Sequence, residues 1–339
     1  MSQRRASLAD LARTLGLSAS TVSRALADHK DVSAATKVRV RQLADELAYQ
    51  PNQLAAALRR GRTNTLGVLV PHIRGHFFPL VVHGIATEAA RLGFNVMMCQ
   101  SNEDVAQERR NLDLLMNTQV EGILVSVANT TQDTAHFEEV RRQGVPLVFF
   151  DRVLEGFGTE QSSAVSIDDY QGAFQAVTHL IAQGCRRVAH LGGPPTLSIH
   201  RHRHQGYLDA LLAQGLTPDP ALSLTTDMTQ AGGAAAAAQL LALPTRPDAV
   251  FASTDVAAVG AMQAFKKHGL RVPQDVAFVG FSNEVFTTLT EPTLTSVDQR
   301  GEQMGRTAVL LLHQLLQGQA PAPIVLQPEL LLRDSTLRG

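Results

Sequence analysis

SLADLARTLGLSASTVSRAL, residues 7–26, reads as two short helices joined by a tight turn. Ser7 and Asp10 stand at the S-x-x-[DE] spacing of a capping box, in which the serine oxygen accepts an N3 amide and the acid faces the positive helix end. Leu8, Leu11, Ala12 and Leu15 follow at 3-4-3 spacing and make one apolar stripe. Gly16 then supplies the left-handed backbone that stops the helix. Ser18 caps a second helix, Ala19 to about Leu26, with Val22 and Ala25 or Leu26 turned inward and Ser20, Thr21, Ser23 and Arg24 outward. Ser33 caps a third, longer helix, in which Val38, Leu43 and Leu47 are expected to close the small core while Lys37, Arg39 and Arg41 stay in water. Two helices joined at Gly16-Leu17 make a helix-turn-helix. The short polar face of the second, ending in an arginine that can fork onto a guanine, suits a DNA major groove. A three-helix packing module without nucleic acid is the alternative that spacing alone leaves open.

Charge runs the same way. Residues 1–62 hold 11 Lys and Arg against 5 Asp and Glu, and the remainder 19 against 26, so a net charge of −1 hides a basic head on an acidic body. That layout fits a head that meets a polyanion, and charge alone leaves a solvated basic surface equally open. The 339 residues exceed one ordinary domain, and 44% hydrophobic with 18% charged residues is a globular mix. The start, MSQRRASLADLARTLG, lacks an apolar signal region, and no run approaches the roughly 18 apolar residues of a membrane span. A soluble, cytoplasmic protein without a membrane partner is expected. Cys99 and Cys185 give neither a disulfide framework nor a metal-binding pair.

Leu17-Ser18-x-Ser20-Thr21-Val22-Ser23-Arg24-Ala25-Leu26, Val32-Ser33 and Leu47-Ala48-Tyr49-Gln50-Pro51-Asn52 together resemble the headpiece and hinge of the lactose-repressor (LacI) family, nearly without gaps over residues 8–58. The resemblance implies that Ala19, Ser20 and Arg24 meet base edges, and that Ser18, Thr21, Ser23 and Asn52 lie at or near the DNA backbone. Ala19 is too small for hydrogen-bonded readout and would be limited to a thymine methyl. Beyond Pro51, QLAAAL is too short to be a stable helix alone. In the family such a hinge folds on the operator, pairs with its dimer mate and wedges a leucine, here Leu58, into a minor-groove step. Ala55 joins Leu58 among the DNA-facing hinge residues, and Arg59, Arg60 and Arg62 would follow the phosphates.

From Thr65 the chain alternates apolar strands with amphipathic helices: TLGVLVP, FNVMMCQ, EGILVSV, PLVFFD, AVSID, RVAHLGG, AVFAST and VAFVGF. Such alternation means parallel α/β sheets, and about ten strands exceed one comfortable open sheet. The fold class expected is therefore an all-α helix-turn-helix headpiece followed by two doubly wound subdomains with a cleft between them. The domains are a headpiece (1–50), a hinge (51–63) and an effector-binding and dimerisation body (64–339). Within the body, a first subdomain is placed at about 64–162 and 292–322, and a second at about 163–291 and 323–336, parted at the loop-like break from Asp151 to Ser163. Val70-Pro71…Phe77-Phe78, Val148-Phe149-Phe150-Asp151-Arg152, Leu191-Gly192-Gly193-Pro194, Gly206-Tyr207, Val272-Pro273-x-Asp275-Val276 and Pro292-x-Leu294-Thr295-Ser296-Val297-x-Gln299 resemble the effector domain of the same family, an architecture shared with periplasmic sugar-binding proteins. The likeness extends to about residue 336.

Ligands of such sheets collect outside the carboxyl ends of strands. The resemblance implies a pocket with Phe77 and Phe78 as an apolar wall, Ser126 and Asp151 as hydroxyl partners, Arg203 as a fork, and Met228 where many relatives place an aromatic. Arg74, His76 and Gln299 complete the expected set. Two departures stand out: Thr254 replaces a usual asparagine and Ser282 a usual aspartate. With fewer acceptors for sugar hydroxyls, Arg74 and Arg203 could favour an anion, which extends the expected effector to a sugar acid or sugar phosphate.

Other signals are set aside. His200 and His204 have i, i+4 metal spacing, but flanking arginines repel a cation, and exposed residues at a helix start are the expectation. Gly192-Gly193-Pro194-Pro195 lacks the marks of a nucleotide loop and is read as a turn. Asp168 and Asp169, as strand neighbours, would face opposite ways. No catalytic constellation, cofactor or metal is expected. The reading is a homodimeric transcription regulator, acting as a repressor on a near-palindromic double-stranded operator under a carbohydrate-like effector. No heptad tail follows the last strand, IVLQPELLLRDST, which favours dimers. The alternatives are a solute-binding module without DNA and a sugar- or nucleotide-processing enzyme.

Overall fold

The structure is a computed structural model that describes residues 6–49, 63–154 and 161–337. Chain contacts separate two compact units, residues 1–63 and 64–339.

The first unit holds α1 (Leu8–Leu15), α2 (Ala19–Leu26) and α3 (Ala34–Glu46). Each begins as its residues dictate. The Ser7/Asp10 capping box is complete, Gly16 has φ +65°, and the Ser18 and Ser33 oxygens accept from the Thr21 and Thr36 amides. Leu11, Ala12, Val22, Ala25, Val32, Val40 and Ala44 fill the core. The inward face of α3 therefore differs from the expected one. Val40 and Ala44 are buried, one turn apart, with Leu43 packed beside them, whereas Val38 and Leu47 are 53% and 41% exposed. Lys37 is drawn in to bond the Asp28 carbonyl and carboxylate.

The second unit is built on two six-stranded sheets. Its strands are β1 (Thr65–Val70), β2 (Asn95–Gln100), β3 (Gly122–Val125), β4 (Leu147–Phe150), β5 (Ser162–Ile167), β6 (Val188–Gly192), β7 (Ser223–Thr225), β8 (Ala249–Ala252), β9 (Ala277–Phe281), β10 (Thr295–Asp298), β11 (Ile324–Leu326) and β12 (Glu329–Leu331). Its helices are α4 (Phe77–Arg91), α5 (Val105–Asn117), α6 (Ala135–Arg142), α7 (Asp169–Ala182), α8 (Ser198–Ala213), α9 (Gln230–Leu241), α10 (Asp255–Lys267) and α11 (Gly301–Leu316). One sheet has the order β11-β5-β4-β3-β1-β2 and the other β12-β10-β9-β8-β6-β7. Only β12 runs antiparallel, against β10. Each sheet thus reverses its strand order beside its first strand, the topological switch point where ligands gather. The central strands are buried, apart from Thr65 at the start of β1, as parallel strands covered by helices on both faces must be.

The chain crosses between sheets three times, at Asp168, at Gln299-Arg300 and at Gln327-Pro328, and the subdomain limits read from sequence are corrected accordingly. β5 pairs in parallel with β4, Leu147 opposite Ser162, so it belongs to the first lobe rather than the second. β10 pairs with β9 and belongs to the second lobe, not the first. IVLQPELLLRDST is two strands, β11 on the first sheet and β12 on the second. An apolar run announces a strand but not the sheet it joins, because pairing is a tertiary choice.

Candidate functional site

On the first unit, α2 offers the candidate nucleic-acid interface. Val22 and Ala25 turn fully inward, which leaves Ser18, Ala19, Ser20 and Arg24 exposed and Thr21 and Ser23 half-buried along the opposite face. The Ser18 hydroxyl caps the helix and also meets the hydroxyls of Ser20 and Thr21, each at 2.8 Å. Arg24 Nε lies 3.4 Å from the Ser20 carbonyl, and the rest of the guanidinium stays in solvent. Asn52, Ala55, Leu58 and Arg59 lie outside the described residues.

On the second unit, the carboxyl ends of both sheets face a cavity of about 680 Å³. Of the residues expected there, Arg74, Phe77, Phe78, Asp151, Arg203, Met228, Thr254, Ser282 and Gln299 line it. Phe77 and Phe78 pack edge to face at 5.1 Å, and His72 sets its ring edge-on to Phe78 at the same distance. Two expected residues do not line the cavity. Ser126 sits behind it, fully buried, its hydroxyl 3.5 Å from Asp151 Oδ2. His76 contributes its backbone, the amide donating to Glu284 Oε1 at 3.0 Å.

Arg203 is not the free fork the sequence promised. Its Nε donates to Asp169 Oδ1 and its Nη1 to the Ser253 carbonyl, both at 2.7 Å, and its Nη2 to Gln299 Oε1 at 3.1 Å. The guanidinium lies 3.7 Å from the centre of the Phe281 ring and is 3% exposed. Burial raises the Asp169 carboxyl above its ordinary range, and Arg203 opposes that rise. Asp168 and Asp169 are helix residues rather than strand neighbours: Asp168 caps α7 through the Gln171 amide, and Asp169 opens that helix beneath Arg203. Gln299, at a crossover, passes the chain on by donating to the Ser282 hydroxyl at 2.8 Å. Thr254 spends its hydroxyl on capping α10.

Several lining residues escaped the sequence reading. Arg152 forms a two-pronged pair with Glu103 at 2.7 and 2.9 Å. Burial pulls the Glu103 carboxyl up, but Arg152 holds it below its ordinary value. Asp255 takes the Ser296 hydroxyl at 2.6 Å and the Glu284 amide at 2.8 Å, and burial pushes it up to about 7. Asp151, also driven by burial, rises to about 6. His200 is corrected from an exposed position to a buried one on the cavity wall, and burial together with Arg203 and Arg152 pushes it down to about 3. Its Nδ1 and that of His72 are buried without a hydrogen-bond partner among the described residues. His204 is half-buried, its Nδ1 3.2 Å from that of His190. Among the described residues no group of three or more His, Cys, Asp or Glu could hold a metal. The strand-end rule would have found Arg152 and Asp255, which directly follow Asp151 and Thr254. It could not have found Glu103 or Glu284, which loops deliver.

Fold and site together define a class: a two-lobed small-molecule receptor carrying a helix-turn-helix reader. Residues 7–52 match the description "Bacterial regulatory proteins, lacI family", and residues 177–336 match "Periplasmic binding protein-like domain". The chain is 35% identical over 334 residues to the HTH-type transcriptional repressor CytR of Escherichia coli (strain K12), covering 98% of this chain and 96% of that one. It also resembles two solved structures. The lac repressor dimer bound to operator and the anti-inducer ONPF superposes with TM-score 0.87 at 28% identity, over 99% of this chain and all of that one. The CelR–cellobiose complex gives 0.74 at 32%, over 98% and 100%. The chain belongs to the LacI family of bacterial regulatory proteins, and is a DNA-binding transcription regulator rather than an enzyme. Among the described residues no helix is long and apolar enough to cross a membrane.

Proposed function

We propose that this chain is a cytoplasmic homodimeric repressor that releases or grips a near-palindromic operator according to a small, hydroxyl-rich effector held in the cleft. The observation that carries the effector half is the cavity wall, where a buried carboxylate, Asp151, and the unpartnered ring nitrogens of His72 and His200 surround an apolar shelf of Phe77 and Phe78. Buried polar groups ordinarily have partners, so such atoms mark a ligand's place. The cellobiose and ONPF complexes of relatives support a carbohydrate-like molecule. A sugar acid or phosphate remains the narrower reading. The charge balance weighs against it, because Arg152 and Arg203 already have carboxylate partners, while Asp151, Asp227, Asp255 and Glu284 also line the cavity. Arg74 alone of the lining arginines has no carboxylate within ion-pair reach among the described residues and is the one feature that favours an anion, but against the lining carboxylates a neutral polyol suits the site better.

Two α2 helices, one per protomer, enter successive major grooves, with Arg24 and Ser20 at base edges. Asn52, Ala55, Leu58 and Arg59 of the hinge, 51–63, are proposed as further DNA contacts on the strength of the family resemblance. Closure of the lobes around effector changes the hinge spacing, and a differential of about 1–3 kcal/mol between the two arrangements suffices for regulation. Mapping the protein's sites across its own genome tests the reading. Discrete near-palindromic sites, with occupancy altered by a candidate sugar, are expected; uniform, ligand-indifferent binding would refute it.

A further inference from the structure

Glu284 follows β9 in the second lobe, yet its carboxylate ends in the first. Oε1 accepts the His76 amide at 3.0 Å, at the N-terminal boundary of α4. That helix has no side-chain cap of its own, since His76 supplies none. The opposite lobe therefore provides the acceptor, and a carboxylate there also meets the positive end of the helix dipole. Gly75 makes room for it. Its φ is +78°, and a Cβ at that position would come within 2.9 Å of Glu284 Oε1.

The second lobe grips the backbone of Glu284 firmly. Its amide donates to the buried Asp255 carboxylate at 2.8 Å, and its carbonyl accepts the Thr287 amide and hydroxyl at 2.9 and 2.6 Å. The two preceding residues, Ser282 and Asn283, hold φ values of 118° and 52°, a left-handed pair that surrounding bonds must maintain. Asn283 is pinned by Ser296, Asp298 and Arg333. A rigid turn on one lobe thus aims a charge at a helix end on the other, and Glu284 lines the cavity together with Gly75 and Phe77, which flank His76.

We propose that Glu284 is a cross-cleft latch, a positioning residue that holds the two lobes together and so sets the balance of lobe arrangements on which effector acts. The proposal takes the cleft to be the effector site, as above, but its test needs neither effector nor DNA, so either reading can fail without the other. In the full-length protein, hydrogen exchange at the His76 amide and the separation of probes on Gln143 of the first lobe and Gln214 of the second are measured. Glu284→Ala should speed exchange about tenfold, the loss of one charge-assisted hydrogen bond, and shift the probe separation to longer distances. Gly75→Ala, whose Cβ would come within 2.9 Å of Glu284 Oε1 and displace the carboxylate, should act in the same direction. Glu284→Gln, which keeps an acceptor without the charge, should fall between wild type and Glu284→Ala. Probe distances unchanged in both alanine variants, with the lobes still folded, would overturn the latch.

Discussion

At the scale of single residues, two side chains carry the sharpest consequences. Arg24 is exposed beside Ser20 and held only loosely by it, so its guanidinium is free for a base edge. Arg24→Ala should reduce discrimination between operator and random duplex by about 1–3 kcal/mol, read by competition binding. Equal competition before and after the change would remove it from readout. Asp151 is held in an unfavourable setting by its own lobe. Burial raises its folded carboxyl from 3.8 to about 6, so folded protein binds a proton there that the unfolded chain lacks. Its contribution to stability is greatest below pH 3.8 and is lost as pH rises through about 6. Asp151→Asn should therefore melt higher than wild type at pH 8, with the gap closing toward pH 4, and should blunt the response to effector. A lower melting temperature at pH 8 would show that the carboxylate is structurally required.

At the scale of elements, the headpiece is the weak member. Seven buried residues make its core, and Leu11 is fully enclosed among them. Leu11→Ala removes about 2–5 kcal/mol, comparable with the whole stability of so small a unit. Calorimetry should then show the headpiece transition lost and that of residues 64–339 retained, with DNA binding abolished. A single unchanged transition would mean that the two units melt together. These helices were legible because their ends are written in capping residues, Ser7, Gly16, Ser18 and Ser33, whose effects are local. The α/β alternation was legible for the same reason. What stayed hidden is set by distant partners: which sheet β5, β10 and β11 join, why Val40 and not Val38 faces inward, and why Arg203 is spent on Asp169, 34 residues away in sequence. In the cleft, residues next to strand ends could be named, whereas Glu103 and Glu284 reach the cavity from loops whose paths no local pattern specifies.

At the scale of the whole molecule, charge separation governs the encounter with DNA. The first 62 residues carry a surplus of positive charge that the acidic body slightly more than cancels. Electrostatic attraction to a polyanion is therefore expected of the first 62 residues rather than of the acidic remainder. If the bound dimer neutralises phosphates in the number usual for repressors, affinity should fall about 10³- to 10⁵-fold between roughly 50 and 200 mM salt. Titrations by fluorescence anisotropy would measure the slope, and a flat response would rule out a phosphate-dominated interface.

The three crossovers at Asp168, Gln299-Arg300 and Gln327-Pro328 also constrain how such a protein can be rebuilt. Neither lobe is a single stretch of chain, so no single cut inside residues 64–339 leaves each of the two sheets complete on its own fragment. A cut near residue 63, in contrast, severs one covalent thread. Reader and receptor can therefore be exchanged between relatives as intact cassettes, while a graft of half the receptor would have to splice several segments at once. Shuffling of these regulators, in nature or at the bench, should succeed at that junction and fail within the lobes.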